Sequence, residues 1–232
     1  MRESGSTDRA AGSTRRRRPC FEPEHVLAVI GASEEVAPRY ASSFPVSLAK
    51  HDVALKLAGA GGDGAQTAAL LLAHAAINEG FDSTHIPSYG PESRGGTSYA
   101  DVHIADSEVL SPASPSPHVL VAFNSPSLAK FGPKVQAGGV VVYDSSVIAE
   151  VPRLAEGVRA VGVPFTRIAT ELGKSLVKNV VALGALQEAT QIFPEETFLT
   201  AIRQALREKA ALIPLNESAF ARGAEAARGV AP

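Results

Sequence analysis

The stretch from Val53 to Ser88 limits the fold more than any other part of the chain. VALKLAGA, Val53 to Ala60, is mostly apolar and reads as a strand. Gly59, Gly61, Gly62 and Gly64 then turn the chain. Ala65 to Glu79 carries apolar residues almost all round, which predicts a well-buried helix, and Gly80 ends it as a helix C-terminal glycine does. STHIPS, Ser83 to Ser88, reads as a second strand. Strand, Gly-rich turn, helix and strand together open a parallel sheet. The fold class is therefore α/β: a Rossmann-like, mostly parallel sheet with flanking helices.

The remainder extends that sheet and then turns helical. Ser98 to Asp106 alternates as a strand does, and His118 to Asn124, Gly138 to Ser146 and Gly157 to Phe165 are short buried strands. Ser111 to Pro117 is a Pro/Ser loop, and a short helix starts at Ser127 to Lys130. Three helices make up the C-terminal part, predicted over Phe165 to Thr190, Pro194 to Ala210 and Ser218 to Ala227. Residues 1–24 form an Arg-, Ser- and Gly-rich arm expected to be disordered when free. Its Arg15 to Arg18 cluster fits either an acidic partner or a solvated tail, and Glu3, Asp8, Glu22 and Glu24 dilute the charge. Residues 25–51 cannot be one continuous helix, since Pro38 and Pro45 interrupt it, and they read as an extension packing on the main domain or on a partner. The compact domain spans 52–232.

The Gly-rich turn overlaps two cofactor signatures. Gly59, Gly61 and Gly64 match the G-x-G-x-x-G spacing of a dinucleotide loop, in which open N–H groups at a helix N-terminus hold a pyrophosphate. That site also needs an acid at the end of the second strand for the ribose, and here the strand ends Ile86-Pro87-Ser88-Tyr89. Asp82 lies at the other end, and Asp63 sets a carboxylate inside the loop, against a pyrophosphate. Gly62-Asp63-Gly64 resembles the start of a thiamine diphosphate motif, whose aspartate and later asparagine pair hold magnesium through oxygen. No Asn-Asn pair exists in the chain, and no P-loop lysine supports ATP. The plain structural alternative is that the glycines permit a tight turn and close helix packing.

Composition excludes several classes. The net charge of -2 gives no general attraction for nucleic acid. Cys20 is the only cysteine, so this chain by itself supplies neither an intrachain disulfide nor the thiolates of an iron–sulfur cluster. No apolar run approaches the ~20 residues of a membrane span, and no apolar stretch follows the N-terminal arginines. The expected compartment is the cytoplasm.

A second glycine cluster, SYGPESRGGTSYADVHIAD from Ser88 to Asp106, follows the second strand on the same expected sheet edge. Tyr89 is amphipathic, Glu92 and Arg94 carry opposite charges, and Gly90, Gly95 and Gly96 permit close backbone approach before Thr97. Pro91 with Gly95-Gly96 is also what a surface turn requires.

Together the two clusters resemble the gamma subunit, or gamma domain, of 2-oxoacid:ferredoxin oxidoreductases. The resemblance continues through VAFNSPSLAKF (Val121 to Phe131), GGVVVYDSS (Gly138 to Ser146), ATELGKSLVKNVVALGAL (Ala169 to Leu186) and IPLNESAFARG (Ile213 to Gly223), covering about residues 53–227. Asp63 stands where that family commonly has glutamine, Lys174 where it commonly has asparagine, and residues 1–50 have no counterpart in the usual subunit.

Such a resemblance implies a subunit of an enzyme that oxidatively decarboxylates a 2-oxoacid to an acyl-CoA. Alpha and beta subunits hold thiamine diphosphate and Mg2+. Beta or delta subunits carry iron–sulfur clusters that pass electrons to ferredoxin or another acceptor. This chain alone is expected to bind no cofactor and to supply no catalytic residue and no metal ligand. Its turn residues Gly59, Gly61, Gly62, Asp63 and Gly64, and the loop residues Tyr89, Gly90, Glu92, Arg94, Gly95, Gly96 and Thr97, would face the alpha subunit or coenzyme A. Asn124 and Asn179, inside the shared motifs, join that set. Two rival readings are an autonomous NAD- or FAD-dependent oxidoreductase and a pure interaction scaffold.

Overall fold

In the computed structural model the described residues are 52–90, 97–109 and 113–230. The expectations for the arm 1–24, the extension 25–51, and Glu92, Arg94, Gly95 and Gly96 lie outside them. Strand β1 (Asp52–Ala60) leads through the Gly-rich turn into helix α1 (Ala65–Asn78) and strand β2 (Asp82–Tyr89). Then come β3 (Thr97–Ala105), β4 (Val119–Ala122), α2 (Ser125–Phe131), β5 (Val140–Asp144) and β6 (Arg159–Val163). The chain closes with α3 (Phe165–Glu171), α4 (Lys178–Thr190), α5 (Glu195–Ala205) and α6 (Ile213–Arg228).

These strands form one sheet in the order β2-β3-β1-β4-β5-β6. Neighbours from β1 through β4 and β5 to β6 are parallel, whereas β3 is antiparallel to both β1 and β2. Five strands thus share one direction, in agreement with the expected mostly parallel α/β sheet. The sequence-based expectation that β1 and β2 begin a parallel pair is corrected in one respect: β3 is inserted between them. The reason is local, since β2 returns as a hairpin through Gly90, whose N–H donates to Thr97 O at 3.0 Å. The hairpin register then places β3 in the slot beside β1.

Alternation sorts the strand residues. Val53, Leu55 and Leu57 of β1, Val102 of β3 and Val121 of β4 face the main core, with α1 and α3 to α6 packed above. The opposite face carries a smaller core of Ala58, Leu120, Ala122, Leu128, Phe131 and Val141 under α2. The all-apolar run of β4 and the Val140 to Val142 run of β5 are those of parallel strands buried on both faces.

Four helix expectations are corrected. The segment from Phe165 to Thr190 is two helices, because Gly173 takes a left-handed φ of +80° and breaks the run. The next helix stops at Ala205, and Pro214 opens α6 at Ile213, earlier than the expected Ser218. Helix α1 is not buried all round, for Leu70 (43% exposed) and Ile77 (54%) lie on its outer face. Among the described residues no helix is long and apolar enough to cross a membrane.

At the opening of β4 the His118 Nδ1 accepts the Ala54 N–H at 3.0 Å, so the imidazole must be unprotonated on that nitrogen. Burial holds its pKa below the ordinary value; the Asp52 carboxylate opposes this and His103 adds to it. Burial, and secondarily His74, also lower His85. Both groups bind protons more readily in the unfolded chain. Stability is therefore fully present above the unfolded histidine value of about 6.5 and declines as pH falls through the depressed folded values. A thermal melt should shift down between about pH 7 and about pH 5, and His118→Gln, which keeps an acceptor, should flatten that dependence. An unchanged slope in His118→Gln would remove His118 from this account.

Candidate functional site

The carboxyl ends of the parallel strands define one edge, and the strand register places both glycine clusters on it. Gly59 pairs with Ser98 and Ser98 with Tyr89, so the Gly-rich turn and the two stems of the 90–96 loop stand in one row. Neighbouring β4 ends at Ala122, opposite Ala58. From β1 the chain crosses to the α1 face, and from β4 it crosses to the α2 face. Between the ends of β1 and β4 therefore lies the crevice where open α/β sheets receive ligands.

Asp63 closes that crevice. Its Oδ2 accepts the Ala60 N–H at 2.6 Å and the Asn124 Nδ2 at 3.1 Å, while its Oδ1 is paired with Lys178 Nζ. Asn124 in turn caps α2, its Oδ1 accepting the Ser127 N–H at 2.9 Å. One carboxylate thus ties the turn to the start of α2 and to the start of α4. Asp63, by sequence a charge that would repel a pyrophosphate, is paired with the ammonium of a residue 115 positions away.

Two motif glycines have steric reasons. A Cβ on Gly59 would stand 2.8 Å from Asp63 Oδ2 and 3.0 Å from Phe123 Cβ. On Gly64, whose φ is +84°, it would stand 2.8 Å from the Cβ of buried Asn179. Asn179 holds its place through Oδ1, which accepts the Val180 N–H at 2.9 Å. Gly61 and Gly62 are exposed at the tip, Gly62 with a φ of +100°. Gln66, in the first turn of α1, donates through Nε2 to Ser88 O, Ser98 Oγ and Tyr99 O at 3.3, 3.1 and 2.8 Å.

The structure therefore brings together Gly59, Gly61, Gly62, Asp63, Gly64, Asn124 and Asn179 around one crevice, with Tyr89, Gly90 and Thr97 along the same edge. Sequence reasoning missed Lys178, Gln66 and Leu176. Lys178 was detectable only as a lysine beside Asn179, and Gln66 only as a polar residue opening an Ala/Leu-rich helix. Leu176 is 79% exposed and Tyr89 72%: Tyr89 ends β2, and Leu176 lies two residues before Lys178.

The fold fixes where the remaining parts of each cofactor signature lie. For a dinucleotide, the end of β2 lies two strands from the turn, about 10 Å across the sheet, because β3 intervenes. It ends in Tyr89, while Asp82 sits at the opposite end and accepts the Val109 N–H. For magnesium and a diphosphate, both oxygens of Asp63 are engaged, and the described residues contain no group of three His, Cys, Asp or Glu side chains placed to hold a metal ion.

Removing the knot has a predicted cost. Asp63→Ala leaves the Lys178 ammonium, only 17% exposed, without its partner and frees the Ala60 N–H. An unfolding free energy lower by roughly 2 kcal/mol is expected in a urea titration, less than for a fully buried pair because water reaches this one. Asp63→Asn, which keeps an acceptor for Ala60, should lose less.

Comparisons with known proteins agree with this architecture. The family model described as pyruvate ferredoxin/flavodoxin oxidoreductase matches residues 54–226. The chain is 42% identical over 178 residues to ketoisovalerate oxidoreductase subunit VorA of Methanothermobacter marburgensis, covering 76% of this chain. It spans only 37% of that relative's length, about a third. Among solved structures, the gamma subunit of a keto/oxoacid ferredoxin oxidoreductase from Geobacter sulfurreducens is similar with a TM-score of 0.67 and 29% identity, covering 77% of this chain and 99% of that one. The 2-oxoglutarate:ferredoxin oxidoreductase of Magnetococcus marinus, solved with 2-oxoglutarate, coenzyme A and succinyl-CoA bound, gives a TM-score of 0.72 at 27% identity over 78% of this chain and 32% of that one.

Proposed function

Because this chain belongs to the pyruvate ferredoxin/flavodoxin oxidoreductase family, we propose that it is the gamma-type part of a cytoplasmic, thiamine-diphosphate-dependent 2-oxoacid:acceptor oxidoreductase. Alpha and beta partners, with or without a delta chain, would hold thiamine diphosphate, Mg2+ and the iron–sulfur clusters. The assembled enzyme would convert a 2-oxoacid and coenzyme A to an acyl-CoA and carbon dioxide, passing the electron pair to ferredoxin or another acceptor. Within it this chain shapes and positions; the reacting centre belongs to the partners, whose cofactor carries the hard chemistry.

The observation supporting this assignment is the character of the carboxyl edge. Tyr89 and Leu176 are the two most exposed large apolar side chains among the described residues; Tyr89 ends β2 in the same row as Gly59, and Leu176 lies two residues before Lys178, the partner of Asp63. Aromatic and aliphatic groups left bare around glycine backbone fit a protein interface better than a small-molecule pocket. We read this edge as the surface that meets the alpha subunit, with Arg94 as the candidate contact to coenzyme A.

Copurification tests the assignment. Chains bound to this one should include a thiamine diphosphate protein, and the complex should consume a 2-oxoacid only with coenzyme A present. Micromolar binding of NAD to the isolated chain in a calorimetric titration, or a flavin absorbance in a protein that has no tryptophan, would overturn it in favour of an autonomous oxidoreductase. Arg94→Ala in the assembled enzyme separates ligand contact, which raises the coenzyme A requirement, from a pure scaffold, which loses assembly instead.

A further inference from the structure

We propose that Gln66 is a positioning residue that locks the paired ends of β2 and β3, at Ser88 and at Ser98 and Tyr99, onto the Gly-rich turn. This rests on the reading of that edge as the face toward coenzyme A. One amide reaches three acceptors on two strands at once. Gln66 belongs to the first turn of α1, directly after Gly64, and its Nε2 lies within 3.3 Å of Ser88 O on β2 and of Ser98 Oγ and Tyr99 O on β3. Ser88 and Tyr99 are directly opposed in the β2–β3 ladder, one rung inside the rung that Tyr89 makes with Ser98. The amide therefore clamps both stems of the hairpin from the side, next to the point where the loop leaves the sheet.

The residue type follows from the partners. Two backbone carbonyl oxygens and one hydroxyl converge on a single nitrogen, so this position requires a donor. A lysine would bring a charge into a partly covered site, and a carboxylate would face oxygen lone pairs. The side chain has the reach and the two hydrogens of an –NH2 group, and its own Oε1 is buried without a partner. The two backbone carbonyls fix the direction of the amide, since turning it over would point its own carbonyl at both of them. The Asp63 hydrogen bonds link the turn to α2 and α4, whereas Gln66 supplies the link to the hairpin. Together the two side chains make the turn, the hairpin stems and the starts of two helices one rigid rim.

A positioning role differs from space filling in its dependence on a donor. Gln66→Met keeps the volume and removes the donor. Gln66→Glu places a carboxylate against the oxygens at high pH and recovers one O–H donor on protonation, which the lack of donors around it favours.

The experiment uses the enzyme assembled with its partner chains. Hydrogen exchange of the β2–β3 stem and steady-state kinetics with coenzyme A as varied substrate are measured at about pH 8 and about pH 6. In Gln66→Met the amides of the Ser88–Tyr99 region should exchange roughly tenfold faster while α4 and α6 keep their protection. KM for coenzyme A should rise about fivefold with kcat within about twofold. Gln66→Glu should show the larger defect at the higher pH and recover part of it at the lower. Wild-type exchange of the stem in Gln66→Met, or a Gln66→Glu defect that ignores pH, overturns the proposal. Faster stem exchange with an unmoved KM for coenzyme A leaves the clamp standing and counts instead against the coenzyme-facing reading of this edge. If Gln66→Met does not assemble, the pH response of Gln66→Glu tests the same donor within one protein.

Discussion

Gly223→Ala should lower the melting temperature by about 10 °C, a loss of roughly 3 kcal/mol at the upper end of overpacking penalties. Helices α4 and α6 cross where Gly184 and Gly223 face each other's backbone. A Cβ on Gly223 would stand 2.0 Å from Val181 O, and one on Gly184 would stand 2.0 Å from Phe220 O. Both obstacles are carbonyl oxygens, which cannot rotate aside as a side chain can. The helices would have to separate, pulling Phe220 and Leu183, both at most 1% exposed, out of register with the core. Gly184→Ala should behave alike. Gly229→Ala is the matched control, because its nearest neighbour would be Ala226 O at 3.6 Å, an ordinary contact. A scanning calorimetric melt of Gly223→Ala that coincides with that of Gly229→Ala would show that the crossing yields more easily than its geometry implies.

Asp101→Ala is expected to cost about 3–5 kcal/mol, the range for stripping one partner from a buried ion pair. Lys56 and Asp101 are directly opposed on β1 and β3, hydrogen-bonded to each other, and only 4% and 7% exposed. The Lys56 ammonium also sits over the rings of Tyr99 at 4.7 Å and Phe131 at 5.1 Å. Those aromatic faces soften the burial of the charge but do not replace a carboxylate. Once Asp101 is gone, an ammonium remains in a nearly dry site with no anion. Lys56→Met combined with Asp101→Leu removes both charges and should recover most of the loss. Urea unfolding midpoints of the single and double variants measure this directly. If the double variant is as unstable as Asp101→Ala, the deficit comes from packing and the ion pair is not its source.

Much of the architecture was legible because the patterns are local. A strand, a glycine turn and an Ala-rich helix within Val53 to Asn78 specify their elements by burial period and by backbone freedom at Gly62, Gly64 and Gly80, all of which have positive φ. The expected strands after residue 97 also lie within a few residues of those observed. Position in the sheet was less legible. The insertion of β3 between β1 and β2 depends on a hairpin through Gly90, and a helix between two strands ordinarily leads to a parallel neighbour. Helix ends at Glu171 and Ala205 were missed because the apolar spacing continues past them, while backbone geometry at Gly173 and at Lys209 does not.

The candidate site divides in the same way. That Gly59 to Gly64 form a turn at a strand's carboxyl end followed from residue types alone, as did the weakness of both cofactor signatures, which lacked a second acid and an asparagine pair. What Asp63 does was beyond the sequence. Its partners Asn124 and Lys178 lie 61 and 115 residues away, and no local rule selects them from the other lysines and amides of the chain. The same holds for Gln66, whose three acceptors come from strands 22 to 33 residues on. Periodicity and glycine chemistry act within a turn or two of backbone, so the sequence by itself determined which segments are strands, helices and turns. Charge pairing and hydrogen bonding act through space, so only the tertiary structure decided that the glycine turn is a closed, internally neutralised rim joined to the neighbouring hairpin.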